Sequence, residues 1–118
     1  MKVYLICPVR NSSEEQRRHA REYVSQLEKQ GVVVHYPARD SNQTEDGIGL
    51  KVNESNRNAI LSSDEIHVMW DSMSYGSHFD LGMVFMLKAM RNVPIKLVTK
   101  VRRTEGKSYS NILLELAD

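Results

Sequence analysis

Short apolar runs that favour β-strands alternate with segments of helical periodicity along this chain of 118 residues. Such alternation is typical of a parallel sheet, because each helix returns the chain to the start of the next strand. The strand-like runs are residues 3–7, 32–36, 65–70 and 94–98, and the helical segments are residues 14–30, 49–63, 78–91 and 109–116. The length suits one hydrophobic core. The sequence therefore predicts a single α/β domain over residues 1–118.

The order of the strands follows from the same alternation. Right-handed crossovers leave few topologies, and the simplest is a flavodoxin-like or Rossmann-like doubly wound sheet of four to five strands in the order 2-1-3-4, with helices on both faces. Ligands of such sheets bind where the winding reverses, outside the carboxyl ends of strands one and three. The polar residues 8–11 and 71–77 follow those two ends. We therefore expect the binding site between these loops.

The composition limits the classes of partner. The net charge is +1 and the charges of both signs are interspersed, so we expect no nucleic-acid partner. The sequence contains neither an apolar run of membrane-spanning length nor a signal-peptide pattern, so we expect no membrane association. The single cysteine, Cys7, cannot form an internal disulfide and fits a reducing cytosol. We expect a cytoplasmic protein.

Metal and cofactor signatures are not found. The four histidines share no ligand spacing and no cysteine pair accompanies them, so we expect neither a metal nor another cofactor. Phe79, Met83, Met86 and Met90 lie on one stripe of the third predicted helix. We expect methionines of this kind to fill the core rather than bind a soft metal.

The loop after the third strand has the composition of an anion site. Ser74, Gly76 and Ser77 can offer hydroxyl and backbone N–H groups to a phosphate, and the following helix adds its positive end. Arg10 in the loop after the first strand could bind the same anion through two parallel hydrogen bonds. The structural alternative is that Ser77 only caps the helix and Gly76 only permits a tight turn.

A carboxylate, Asp80, lies near the start of that helix, where the helix dipole alone would stabilise it. The functional interpretation is a nucleophile that attacks the anomeric carbon of a nucleotide sugar. Such chemistry also calls for a second acid or base. The candidates are Asp40, Glu45, Asp46 and Asp71, and spacing singles out none of them. Three of these acids follow the second strand in the polar residues 38–47, which we expect to form a long mobile loop, one interpretation of which is a lid.

Three stretches carry a family resemblance over most of the chain. They are residues 4–10 (Tyr-Leu-Ile-Cys-Pro-Val-Arg), residues 59–64 (Ala-Ile-Leu-Ser-Ser-Asp) and the pattern Ser-x-Gly-x-x-x-Asp-x-Gly at residues 74–82. The last is the most specific, because all four residue types fall at the family spacing. The chain resembles the nucleoside 2-deoxyribosyltransferase-like superfamily. The closest arrangement is that of its 2′-deoxynucleoside 5′-monophosphate N-glycosidase branch.

The resemblance implies roles for individual residues. Asp80 matches the family's nucleophile, Ser74 and Gly76 match residues that bind the 5′-phosphate, and Arg10 falls in a loop that wraps the nucleotide. A serine near the C-terminus of a neighbouring subunit also reaches the phosphate in this branch. Ser108 or Ser110 could match that serine. The resemblance further implies a homodimer or larger homo-oligomer with shared sites.

Two positions depart from the family pattern. The family's nucleophile is normally glutamate, whereas Asp80 is one methylene shorter, and Asn56 stands near the family's usual aspartate on the second helix. Asparagine can hold a hydroxyl or a base, but it cannot serve as a carboxylate acid or base. The leading hypothesis is an N-glycosidase or deoxyribosyltransferase acting on a nucleotide or nucleoside. The alternatives are a non-catalytic nucleotide sensor and a glycohydrolase of a nicotinamide dinucleotide.

Overall fold

The computed structural model describes residues 1–43 and 47–118. Its strands are β1 (Lys2–Ile6), β2 (Val33–His35), β3 (Glu65–Val68) and β4 (Ile95–Leu97). They form one sheet in the order β2-β1-β3-β4, and every neighbouring pair is parallel. The predicted α/β class and the predicted strand order are both confirmed. The reversal of winding therefore lies between β1 and β3.

The described helices are α1 (Glu14–Lys29), α2 (Pro37–Asp40), α3 (Leu50–Leu61), α4 (Tyr75–Arg91) and α5 (Tyr109–Leu116). Helix α1 lies on one face of the sheet, where Ala20 and Val24 pack against Leu5. Helices α3, α4 and α5 lie on the other face and pack against Tyr4 and Ile6. Alternate residues of β1 thus enter two separate cores. None of the described helices is long and apolar enough to cross a membrane.

The short helix α2 corrects the prediction that residues 38–47 form one long loop. Proline suits the first position of a helix, because it lacks an N–H that would have no partner there. Pro37 takes this position, and the Asp40 carboxylate accepts the Tyr36 backbone N–H at 2.8 Å. Residues 38–40 are therefore helical. Glu45 and Asp46 lie outside the described residues.

Helix α4 begins three residues earlier than its periodicity predicts. Ser74 is the N-cap, and its Oγ accepts the Ser77 backbone N–H at 3.2 Å. The structural alternative in which Ser77 caps this helix is wrong, because Ser77 lies in the first turn. Gly76 also lies in the first turn rather than in a tight turn before the helix. The free N–H groups of the helix terminus consequently follow Ser74 directly.

The apolar stripe predicted to fill the core faces outward for most of its length. Phe79, Met86 and Met90 are 57%, 63% and 69% exposed, and only Met83 packs against the core. The buried side of α4 instead carries Ser77, Asp80, Leu81, Val84 and Leu87. Both sides have helical spacing, so periodicity alone could not choose between them. Leucine and valine face the sheet.

Candidate active site

A cavity of about 620 Å³ lies at the carboxyl ends of β1 and β3, where the winding of the sheet reverses. Its walls come from three parts of the chain: residues 7–11 after β1, residues of the segment 37–56 after β2, and residues of the segment 71–80 after β3. The volume is within the range of small-molecule sites. The cavity is therefore large enough for a nucleotide.

Five of the predicted site residues meet in this cavity. Its walls contain Arg10, Asn56, Ser74, Gly76 and Asp80. They come from the loop after β1, from α3 and from the start of α4, and they are up to 70 positions apart in the sequence. The structure thus brings together the loop that resembles an anion site, the candidate nucleophile and the asparagine of α3.

Three predicted binding residues do not line the cavity. Ser77 is buried at 1% exposure, and its Oγ has no hydrogen-bond partner among the described residues. Ser108 caps α5 and accepts the Asn111 backbone N–H at 3.1 Å. Ser110 accepts a hydrogen bond from Trp70 Nε1 at 2.9 Å. The two C-terminal serines therefore have partners within their own chain, and a role in a neighbouring subunit's site stays a prediction.

Asp80 is a buried carboxylate in the first turns of α4, 6% exposed. The hydroxyl of Tyr4 donates to its Oδ2 at 2.8 Å, and no other described residue donates to this carboxylate. Burial raises the pKa of Asp80 to about 6, although the Tyr4 hydrogen bond opposes that rise. At neutral pH the carboxylate is ionised but poorly solvated, and Oδ1 keeps its lone pairs. These are the properties of a nucleophile.

Tyr4 is a site residue that the sequence analysis did not single out, since it lies in an apolar strand. Its ring is fully buried and stacks on the ring of His35, with centroids 5.4 Å apart. Burial and the neighbouring charge of Asp80 raise the pKa of Tyr4 well above its usual range, so the hydroxyl remains a permanent donor. The sequence does contain one indication of this role, because a tyrosine within a buried strand needs a partner for its hydroxyl.

Asn56 is held by a hydrogen-bonded network behind the cavity wall. Ser41 donates its hydroxyl proton to Asn56 Oδ1 at 2.6 Å, and His35 Nε2 lies 3.1 Å from the same Ser41 oxygen. Ser41 and Asn56 are both buried. Burial lowers the pKa of His35, which favours its neutral form at pH 7. The network therefore fixes the Asn56 amide without a charged group.

The candidates for a second acid or base have different surroundings. Asp71 lines the cavity, and its carboxylate accepts hydrogen bonds from Gln16 Nε2 and from the Met73 backbone N–H, both at 2.9 Å. Asp40 does not line the cavity, and its carboxylate accepts the Tyr36 backbone N–H at the start of α2. The other two candidates lie outside the described residues. Among the described candidates, only Asp71 lines the cavity.

A reactive cysteine and a metal site are two other kinds of site that the structure can test. Cys7 lines the cavity, but burial raises the pKa of its thiol to about 12, and the charge of Asp80 adds to this rise. The thiol is therefore protonated at neutral pH and is a poor nucleophile. Within residues 1–43 and 47–118, no three His, Cys, Asp or Glu side chains are grouped so that they could hold a metal ion.

Comparison with known proteins gives a structural result only. No protein-family model and no curated protein sequence matches the chain. A 2-deoxyribosyltransferase from the psychrotolerant bacterium Bacillus psychrosaccharolyticus superposes with a TM-score of 0.67 at 16% identity, over 99% of this chain and 96% of that one. The chain has the fold of a 2-deoxyribosyltransferase. A conserved protein from Enterococcus faecalis V583 gives a TM-score of 0.69 at 12% identity, over 99% and 87% of the two chains.

Proposed function

We propose that the protein cleaves the N-glycosidic bond of a nucleotide or nucleoside, with Asp80 as the nucleophile. The observation that carries this proposal is the buried Asp80 carboxylate, oriented by Tyr4 and lining a cavity of nucleotide size. The fold shared with a 2-deoxyribosyltransferase supports it. We propose membership of the nucleoside 2-deoxyribosyltransferase-like superfamily, closest to its 2′-deoxynucleoside 5′-monophosphate N-glycosidase branch.

The mechanism uses Asp80 twice. Its Oδ1 attacks the anomeric carbon from the face opposite the base, and the bonding electrons of the C–N bond leave with the base. The product is a glycosyl ester of Asp80. Water, or the ring nitrogen of a second base, then attacks the same carbon, and the ester C–O bond breaks with its electrons returning to the Asp80 carboxylate. In hydrolysis the attacking water loses a proton to solvent, and the departed base takes one up from solvent. Hydrolysis and base exchange thus share the first step.

The start of α4 supports a phosphate group on the substrate. Ser74 places the free N–H groups of the first helical turn at the cavity, and the helix terminus favours an anion. A Cβ built on Gly76 would meet no heavy atom within 4 Å, so packing inside the chain does not require glycine here. Arg10 lines the same cavity and can pair with the phosphate.

The direct test is release of free base. The wild-type protein is incubated with a panel of deoxynucleoside 5′-monophosphates, ribonucleoside 5′-monophosphates and nucleosides, and the products are separated by chromatography. We expect base release from at least one monophosphate and slower release from the matching nucleoside. If no substrate of the panel releases base, the proposal is wrong.

Replacing Ser74 by alanine is expected to raise KM for a monophosphate about tenfold, because one hydroxyl contact to a charged ligand is lost. The KM for the matching nucleoside should not change. The control is Ser13→Ala, because Ser13 caps α1 in the same manner but does not line the cavity. Each variant loses a cap worth about 1 kcal/mol of stability. An equal rise in KM for both substrates would contradict a phosphate role for Ser74.

A second candidate function is a non-catalytic nucleotide sensor. It is favoured by Asn56, which lines the cavity where the family usually has an aspartate. A sensor would be stabilised against heat by nucleotides and would release no base, because a ligand that prefers the folded state raises its stability. Thermal-shift measurements beside the base-release assay separate the two functions.

We propose further that the chain forms a homodimer or larger homo-oligomer through an exposed apolar face of α4 and α5. Its apolar residues are the exposed Tyr75, Phe79, Met86 and Tyr109 and the half-buried Met83, and they surround a groove of about 860 Å³. Gly82 lies in the same groove, in a helix interior where glycine costs about 1 kcal/mol and where no neighbour within 4 Å requires it. Close approach of a second chain would explain it. Tyr75 lines both the groove and the cavity, so a partner here would adjoin the site.

Replacing Met86 by aspartate is expected to dissociate the oligomer, because it places a charge in the apolar contact. Sedimentation velocity at several protein concentrations measures the outcome. The matched control is Phe85→Asp, since Phe85 is similarly exposed at 55% but does not line the groove. A wild-type protein that sediments as a monomer throughout would refute this interface.

A further inference from the structure

Three carboxamide side chains share one region of the cavity wall. Asn53 and Asn56 lie one turn apart on α3, and Gln43 lies between α2 and α3. All three belong to the segment that follows β2. Carboxamides pair with the edges of nucleobases, because they offer a donor and an acceptor side by side. We call Gln43, Asn53 and Asn56 the amide wall.

The amide wall and the start of α4 follow different strands, and we call Ser74 and Gly76 at the start of α4 the anion loop. The amide wall follows β2, whereas Ser74 and Gly76 follow β3, and β1 separates these two strands in the sheet. Asp80 is hydrogen-bonded to Tyr4 of the central strand β1. A nucleotide with its phosphate at the anion loop and its sugar at Asp80 would therefore place its base at the amide wall.

Among the described residues, hydrogen bonds leave Gln43 and Asn53 with an amide oxygen that accepts from no donor. Asn53 Nδ2 donates to the Gly49 carbonyl at 2.8 Å. Gln43 Nε2 donates to the carbonyls of Pro37 and Ser41 at 2.9 and 3.2 Å. No donor from the described part of the chain reaches Asn53 Oδ1 or Gln43 Oε1. Gln43 Oε1 is thus left for a ligand, and Asn53 can present Oδ1 and the second N–H of its Nδ2.

Asn56 presents the opposite polarity. Its Oδ1 accepts the Ser41 hydroxyl at 2.6 Å, so the amide nitrogen is the atom left for a ligand. This direction holds when His35 Nε2 carries the proton and donates to Ser41 Oγ, which lies 3.1 Å away. The amide wall therefore offers two acceptors, Gln43 Oε1 and Asn53 Oδ1, and the amide nitrogen of Asn56 as a donor, with one further N–H on Asn53 Nδ2.

This pattern distinguishes amino bases from keto bases. An exocyclic amino group carries two N–H bonds and can satisfy two acceptors, while an adjacent unprotonated ring nitrogen accepts from the donor. Adenine and cytosine have this arrangement. Hypoxanthine and uracil carry a carbonyl in place of the amino group and an N–H in place of the ring nitrogen. The carbonyl oxygen of such a base would face the amide oxygens of Gln43 and Asn53, and its ring N–H would face the amide N–H of Asn56.

We propose that the amide wall selects nucleotides whose base carries an amino group beside an unprotonated ring nitrogen, as in adenine and cytosine. The inference rests on the proposed function for the placement of sugar and phosphate. Gln43 and Asn53 receive the amino group, and Asn56 donates to the ring nitrogen. Asn56 thereby stabilises the departing base by a hydrogen bond rather than by donating a proton.

The test compares substrates that differ only by deamination. The pairs are deoxyadenosine and deoxyinosine 5′-monophosphate, and deoxycytidine and deoxyuridine 5′-monophosphate. Dissociation constants are measured by calorimetry with Asp80→Asn, in which the nucleotide is not consumed. We expect the amino member of at least one pair to bind at least about tenfold more tightly, the value of one or more net hydrogen bonds. Equal affinities, tighter binding of the keto members, or no binding of any nucleotide would overturn the inference.

Two variants test whether the amide wall causes the preference for amino bases. Asn53→Leu and Gln43→Met remove one acceptor each and should bring the amino-to-keto ratio toward one. Asn58→Leu is the control, because Asn58 is exposed on the same helix and outside the cavity. A ratio unchanged in both wall variants overturns the inference. Base release by the wild type with a ratio near one refutes the inference alone, and selective binding without base release refutes the proposed function alone.

Discussion

Replacing Asp80 by alanine or asparagine is expected to lower the rate of base release by at least about 1,000-fold, since the covalent step loses its nucleophile. Chromatographic assay of free base measures the loss. The control is Asp64→Asn, because Asp64 accepts the Lys2 backbone N–H at the opposite end of the sheet. Asp64→Asn should keep its activity. Retention of full activity by either Asp80 variant would exclude the proposed mechanism.

The Asp80→Asn variant is expected to be more stable than the wild type at neutral pH, although it loses activity. The pKa of Asp80 in the folded state, about 6, lies above its ordinary value of 3.8, so the folded protein binds this proton more tightly than the unfolded chain. The ionised carboxylate therefore destabilises the fold, and this cost grows as the pH rises from about 4 through about 6. Two pKa units correspond to about 3 kcal/mol as an upper limit. At pH 7.5 the asparagine variant should unfold at a higher denaturant concentration than the wild type.

Replacing Tyr4 by phenylalanine is expected to reduce kcat at pH 7 by about 10- to 100-fold, because Asp80 loses its one described donor and is no longer held in place. The same loss removes the contact that opposes the rise in the pKa of Asp80. The acidic limb of the pH–rate profile should therefore move above about 6. Part of the lost activity should return at pH 8 to 9, where the carboxylate is ionised again.

Tyr23→Phe provides the control for Tyr4→Phe. The Tyr23 hydroxyl is hydrogen-bonded to the buried His67 at 2.6 Å, on the α1 side of the sheet. This variant loses a comparable hydrogen bond and about 1 kcal/mol of stability. Its pH–rate profile should match that of the wild type. If Tyr4→Phe also leaves the profile in place, then Tyr4 has a purely structural role.

Local sequence patterns predicted the elements and their approximate places. Apolar β-prone runs with helices between them led to a parallel sheet, and the terminal helix has the predicted bounds, residues 109–116. The crevice followed from the strand order, because carboxyl ends of parallel strands share one edge. Arg10 and Ser74 could therefore be assigned to one crevice from the sequence, and both line the cavity.

The errors arose where two local signals competed. Ser74 and Ser77 are both acceptable caps for α4, and the choice depends on how the chain leaves β3. Likewise α4 is apolar on two sides. The side with Leu81 and Val84 packs on the sheet, and the side with Phe79 and Met86 remains exposed. Periodicity reports that a helix has an apolar side but does not report which side a distant sheet will cover.

By itself, the sequence determined the α/β class, the order of the strands and the candidate carboxylate of the site, because these depend on periodicity, chirality and residue type along neighbouring positions. Only the tertiary structure decided what Asp80 contacts. Tyr4 lies 76 positions away in the sequence, and no local pattern relates the two. Their hydrogen bond forms because the packing of α4 over β1 brings a buried hydroxyl and a buried carboxylate together, where each needs the other as a partner.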